Sequence, residues 1–265
     1  MATTTPVGQE SSISYGAYPF TYANGLQISL DATTPLTQLD ISAGVTIDST
    51  DTFQMINPST IVINGLAKGL NGLDTGTLAA ATVYSVYLIS DPVSLQPIGG
   101  MLSLAGPLSA VGPLMPFSYS AYRLIGYVTT AAGAATFLPG YWTAGSSGFR
   151  LFMYDAPLAT AVTAGTSTSY ANVNLYSAVP NMNNVPVLVN SVFTPTAAGS
   201  ALNLQPGNAT GAARTVLGQV AAVVVNSVST VLAQTVTIST IPSPVVNYKV
   251  VGSVAVNVEG YYWAI

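Results

Sequence analysis

Cysteine and histidine are both missing from this chain, and charge is scarce: of 265 residues, five are basic and nine acidic. Without cysteine there is no disulfide and no thiolate nucleophile. Without histidine there is neither the usual Cys/His zinc site nor a Ser-His relay for acyl transfer. A cysteine-free chain sits equally well in reducing and oxidising surroundings, so its redox compartment stays open. The five cations, Lys68, Arg123, Arg150, Arg214 and Lys249, are scattered. They form no basic stripe that could neutralise a row of phosphates, and direct nucleic-acid binding is not expected. A soluble domain ordinarily covers about a quarter to a third of its surface with charge. Here Thr, Ser, Asn, Gly and Ala fill that role, which gives a mild surface suited to being covered by other protein.

Uninterrupted apolar runs are lacking too, although the mean hydropathy is positive. The most apolar window, VLGQVAAVVVNSVSTVLAQTVTI, is broken by Gln219, Asn226, Ser227, Ser229, Thr230 and Gln234. A membrane-spanning helix wants about twenty predominantly apolar residues, so the window reads as two strands joined by a turn at Asn226-Ser227, and membrane insertion is not expected. An outer-membrane barrel is the weaker alternative, because aromatic girdles and strictly spaced strands are not visible. The opening residues, MATTTPVGQESSISYG, have neither the positive region nor the apolar core of a signal peptide. An extracellular destination would then need another route, such as cell lysis.

What is present is β-type punctuation. Residues 1–35 read as an N-terminal arm whose Tyr15, Tyr18, Phe20 and Tyr22 are costly to leave together in water. They are expected to lie against the chain's own domain or a partner subunit. Short apolar runs follow at short intervals, bounded by Gly, Pro, Asn and Asp, among them STIVINGL, VYSVYLIS, YRLIGYVTT, FRLFMYD and VPVLVNSVF. The clearest is the last, where Tyr248, Val250, Gly252, Val254, Val256 and Val258 share one face at a period of two. No helical stripe of ten residues competes, and 17 Pro and 24 Gly spread through the chain argue against long helices. The expected class is all-β, an antiparallel β-sandwich or jelly-roll-like fold. Residues 36–165 form one sandwich domain, and 166–265 a second domain or a continuation of the first.

Candidate chemistry is thin. In NGLDTG, residues 71 to 76, Asp74 can accept bonds from the backbone two residues on, while Gly72 and Gly76 supply positive φ. The hexapeptide therefore reads as a structural corner. A Ca²⁺ loop needs several oxygen ligands in a tight series, and Asp74 has no acidic neighbour within fifteen residues. Glycoside hydrolysis needs two carboxylates across a cleft, and nothing in the sequence pairs the available Asp and Glu. No catalytic residue, metal or cofactor is expected. Arg123 in SAYRLIGYV and Arg150 in SGFRLFMYD stand among aromatic and apolar residues, where a guanidinium can stack and fork to a carboxylate. Each is a candidate for a buried or interfacial ion pair. Trp142 in YWT and Trp263 in the terminal YYW are further interface candidates, with packing the favoured reading for both. Asn208-Ala209-Thr210 matches the glycosylation triplet and is expected to be idle without secretion.

The order PSTIVINGLAKGLNGLDTGTLAAATVYSVYLIS, SLQPIGGMLSL, PFSYSAYRLIGYVTT resembles a family of β-rich structural proteins of tailed bacteriophages. The shared pattern falls on the corner Gly72 to Gly76, the small-residue run Thr77 to Ala81, Tyr84 and Tyr87, and Tyr122 to Gly126. The run AAATVY departs from it, since the family usually has Asn-Thr-Trp before the Tyr. The resemblance covers residues 35 to 265 and implies a non-enzymatic virion protein assembled in the host cytoplasm. Its expected partners are further copies of itself, as a homotrimer, and the major capsid protein or another virion protein. A capsid decoration or cement role is the first expectation, and a tail-fibre or tail-tip component that binds a host-surface glycan or protein is the alternative.

Overall fold

The computed structural model describes residues 23–93, 97–106, 112–144, 149–180, 185–195, 201–207, 218–221, 232–240 and 245–264. Every regular element among them is a strand, and the chain is all-β. In chain order the first are β1 (Ala23–Gly25), β2 (Ile28–Leu30), β3 (Gln38–Ile41), β4 (Gly44–Ile47), β5 (Gln54–Asn57), β6 (Ile61–Asn64) and β7 (Gly72–Leu73). Then come β8 (Val83–Ser90), β9 (Gly99–Ser103), β10 (Ala121–Thr129), β11 (Gly140–Ala144), β12 (Phe149–Gly165) and β13 (Ala171–Asn174). The remainder are β14 (Val185–Pro195), β15 (Ala201–Pro206), β16 (Gly218–Ala221), β17 (Leu232–Thr240), β18 (Val245–Val250) and β19 (Gly252–Ala264).

These strands form five small sheets, ordered β1-β4-β5, β2-β3-β6, β10-β8-β9-β7, β11-β12-β19-β14-β17 and β13-β18-β15-β16. Strand pairs are antiparallel, apart from the short parallel pair of β7 with β9. One continuous apolar core runs through them, from Leu26 and Ile28 through Val86, Ile125 and Phe152 to Val256 and Trp263. β1 and β2 lie within the segment expected to be an arm. From Ala23 onward that segment pairs with β4 and β3 and places Leu26 and Ile28 in the core. The aromatics expected to dock the arm, Tyr15, Tyr18, Phe20 and Tyr22, fall outside the described residues, as do the Asn226-Ser227 turn and Asn208. The division expected at 165/166 separates β12 from β19, its neighbour along a long ladder.

β8 explains why the middle sheet is so firmly placed. Its VYSVYLIS run is buried on both faces from Tyr84 to Ser90, as a β-branched and aromatic strand covered on two sides should be. The inner face meets the main core. The outer face, Tyr87, Ile89 and Met101, is covered by Met115, Tyr119, Tyr122 and Leu124. Close packing from below needs Gly100, where a Cβ would stand 2.5 Å from Ile63 Cδ1.

The terminal run differs from the single long strand that its periodicity suggests. Val246, Tyr248, Val250, Val254, Val256 and Val258 are all buried, so the period of two holds. Between them the chain changes sheets: β18 pairs with β13 and β15, whereas β19 pairs with β12 and β14. The switch is at exposed Val251 and at Gly252, whose φ of 130° suits glycine. Alternation shows which face is buried but carries no information on which sheet receives each part.

Candidate functional site

The Gly72–Gly76 corner is built from three backbone demands. Asn71 takes a left-handed conformation (φ 58°), and its side-chain oxygen accepts from Gly100 N–H at 2.9 Å. Gly72 does not take the positive φ expected of it; it enters β7 with no room for a side chain, since a Cβ would lie 2.6 Å from Ala67 O, so glycine is needed there for close approach. Gly76 has φ 73° in open space. Asp74 works differently from the expected local turn. Its N–H donates to Leu102 O, and its Oδ2 accepts from the Ser103 hydroxyl and from Leu114 N–H at 3.3 Å. The carboxylate reaches across the fold because the parallel pairing of β7 and β9 sets it beside Ser103, a proximity that local spacing does not encode.

Leu114 belongs to a strap, residues 112–120, that crosses the outer face of the middle sheet. Met115 and Tyr119 point inward to Tyr87, Ile89 and Met101, and the Tyr119 hydroxyl donates to Pro97 O at 2.7 Å. On the outside Leu114 and Phe117 are exposed, Phe117 almost completely at 99 %, and Leu104 next to Ser103 is exposed as well. Asp74 thereby joins the two backbone segments that carry Leu104 and Leu114. None of the interface candidates drawn from the sequence was Leu104, Leu114 or Phe117. The signal was there: a Pro-rich segment containing Leu, Met, Phe and Tyr is too apolar for an ordinary surface loop.

The two arginines part company. Arg123 forms an ion pair with Asp51, N···O 3.7 Å, at a partly open site, and Asp51 takes a left-handed conformation (φ 59°). Arg150 is 3 % exposed, and its described partners are all carbonyl oxygens in place of the carboxylate expected from sequence. NH1 donates to Leu26 O (2.6 Å) and Ile125 O (3.2 Å), and NH2 donates to Gly25 O (2.7 Å). Burial lowers its pKa to about 10, still far above neutrality. Trp142 and Trp263 are buried in one aromatic cluster with Tyr127, Phe152, Tyr154 and Tyr261, joined by edge and tilted contacts at 4.7–6.4 Å. The Trp142 indole N–H donates to Tyr127 O at 3.0 Å.

Other acidic groups accept from nearby backbone N–H groups, hydroxyls and an amide. Asp31 accepts from the hydroxyls and N–H groups of Thr33 and Thr34, which hold its carboxyl at about 2. For Asp48, burial pushes the carboxyl up, but the Thr50 hydroxyl and the N–H groups of Phe53, Thr52 and Thr50 together hold it below the usual range. Burial raises Asp40. Asp91 accepts from Val93 N–H, and Glu259 from the Asn190 amide. Among the described residues no three acidic groups gather as a metal site, and no helix is long and apolar enough to cross a membrane. Comparison of the chain with protein-family models, curated proteins and solved structures returned no match.

Proposed function

We propose that this chain is a non-enzymatic structural protein of a tailed-phage virion, a capsid decoration or cement protein of sandwich or jelly-roll-like build that assembles as a homotrimer on the shell. The observation that carries the reading is the exposure of Leu104, Leu114 and Phe117, with the segments of Leu104 and Leu114 tied together by the Asp74 carboxylate of the Gly-Leu-Asp-Thr-Gly corner. That corner is also the core of the resemblance. The sequence around the ridge is uncharged from Pro92 to Tyr122, so a complementary partner presents an uncharged, apolar protein surface. Carboxylates committed to turns and to the strap suit an assembly part, whose work is packing.

The reading is tested on imaged particles. Density over capsid hexamers or their junctions, lost when Leu114→Asp and Phe117→Asp are combined in a still-folded protein, is the expected result. Density at the tail tip alone, with stripped particles that resist osmotic stress normally but fail to adsorb, would establish the tail component instead. That alternative has one observation of its own. Tyr141 on the edge strand β11 is half exposed and offers an aromatic face to a glycan.

A further inference from the structure

A chain with five basic residues buries one of them at 3 % exposure among carbonyl groups. The reason lies in two irregularities of the backbone that meet at the Arg150 guanidinium. The first is the link from β1 to β2, where Gly25 and Leu26 both take left-handed φ, 71° and 53°. Leu26 is fully buried there despite the conformational cost to a residue with a side chain. The second is the bulge in β10. Leu124 pairs with Tyr87 and Gly126 with Val86, which leaves Ile125 without a place in the β8 ladder. Buried carbonyls released from regular pairing need donors, and the planar fork of a guanidinium supplies several from one side chain.

The donor lies well away in sequence, 124 residues on from Leu26. Arg150 is the second residue of β12, opposite Trp263 of β19, and Trp263 lies over Gly126, where an added Cβ would stand 3.1 Å from its ring and 2.5 Å from Ile28 Cδ1. One side chain of the C-terminal sheet thus closes gaps in two N-terminal sheets at once. We propose that Arg150 is a latch that couples the N-terminal sheets to the C-terminal sheet, so that the two parts fold and unfold as one unit. Its charge is retained for the geometry of the fork, since a buried cation is otherwise costly to keep.

The whole chain is used to test this, with unfolding followed both by tryptophan fluorescence, which reports Trp142 and Trp263 in the C-terminal sheet, and by far-UV circular dichroism. The wild type is expected to show coincident transitions. Arg150→Met should separate the two curves, and Arg150→Lys should restore coincidence only in part, because an ammonium cannot present the fork. Millimolar guanidinium chloride should give a saturable rise in the melting temperature of Arg150→Ala and none in the wild type or in Arg150→Met, whose side chain fills the space. If Arg150→Met does not fold, the Lys variant and the guanidinium rescue decide the matter. Coincident curves with an unshifted midpoint in Arg150→Met, full restoration by lysine, or absence of rescue in a folded Arg150→Ala protein would each overturn the latch.

Discussion

The carboxylates of this chain divide by what holds them. Asp74 serves a Ser103 hydroxyl and a Leu114 N–H on two separate segments. Asp74→Ala should cost about 1–3 kcal/mol, the range for losing bonds to a charged acceptor and leaving donors unpaired. Chemical denaturation measures it. A Ca²⁺-dependent rise in melting temperature seen in the wild type and lost in the variant would instead give the carboxylate a ligand role. Asp31 and Asp48 both have lowered pKa values in the folded chain. Their contribution is therefore present above the unfolded value of 3.8 and is lost as pH falls toward about 2. Denaturation midpoints should drop through that window, and Asp31→Asn should flatten the drop. Asp40, raised by burial, acts in the opposite sense and partly offsets it. At the alkaline end burial raises Tyr127, Tyr154 and Tyr261, and carries Tyr87 to about 12. Stability from these hydroxyls is full below the unfolded pKa of about 10 and falls as pH rises past it. Absorbance titration should show these four ionising only as the chain unfolds.

Strands and loops carry a second set of expectations. The strap of residues 112–120 has an inner side that supports the fold and an outer side that does not. Tyr119→Phe, which removes the bond to Pro97 O, should cost about 0.5–1.5 kcal/mol. Phe117→Ser, at an almost fully exposed position, should stay within about 0.5 kcal/mol of the wild type. Thermal or urea unfolding of the pair separates the two sides, and only the Phe117 change should weaken attachment to a particle. The crossing from β18 to β19 depends on Gly252, so Gly252→Ala at φ 130° should destabilise by about 1–3 kcal/mol. Alanine at an ordinary strand position would not carry that strain.

For the whole molecule, the proposed assembly predicts a mass near three times the 27.1 kDa of one chain in light scattering at micromolar concentration. A single-chain mass under those conditions would count strongly against the trimer. Exposed Leu66, Val93, Leu104, Leu114 and Phe117, on a body with so little charge, are the surface that the proposed association would cover. Light scattering and particle binding of the double ridge variant Leu114→Asp and Phe117→Asp, measured beside the wild type, distinguish two uses of that surface. If the variant remains trimeric but no longer binds particles, the ridge faces the shell. If it becomes monomeric, the ridge faces another copy.

Sequence by itself determined the class of this protein. Residue types that favour pleated surfaces, glycine and proline at short intervals, and the alternation from Tyr248 to Val258 are local properties, and they specify strands and their buried faces wherever those strands end up. It also drew attention to the Gly72–Gly76 corner and to Arg123 and Arg150. Tertiary structure alone decided the partners. Ser103 and Leu114 meet Asp74 because β7 lies parallel to β9. Gly25, Leu26 and Ile125 meet Arg150 because a turn and a bulge far apart in the chain face the start of β12. Val251 and Gly252 send one alternating run into two sheets. Each of these depends on which strands become neighbours, and that choice is made by the summed burial of the whole core, to which no single stretch of sequence holds the key.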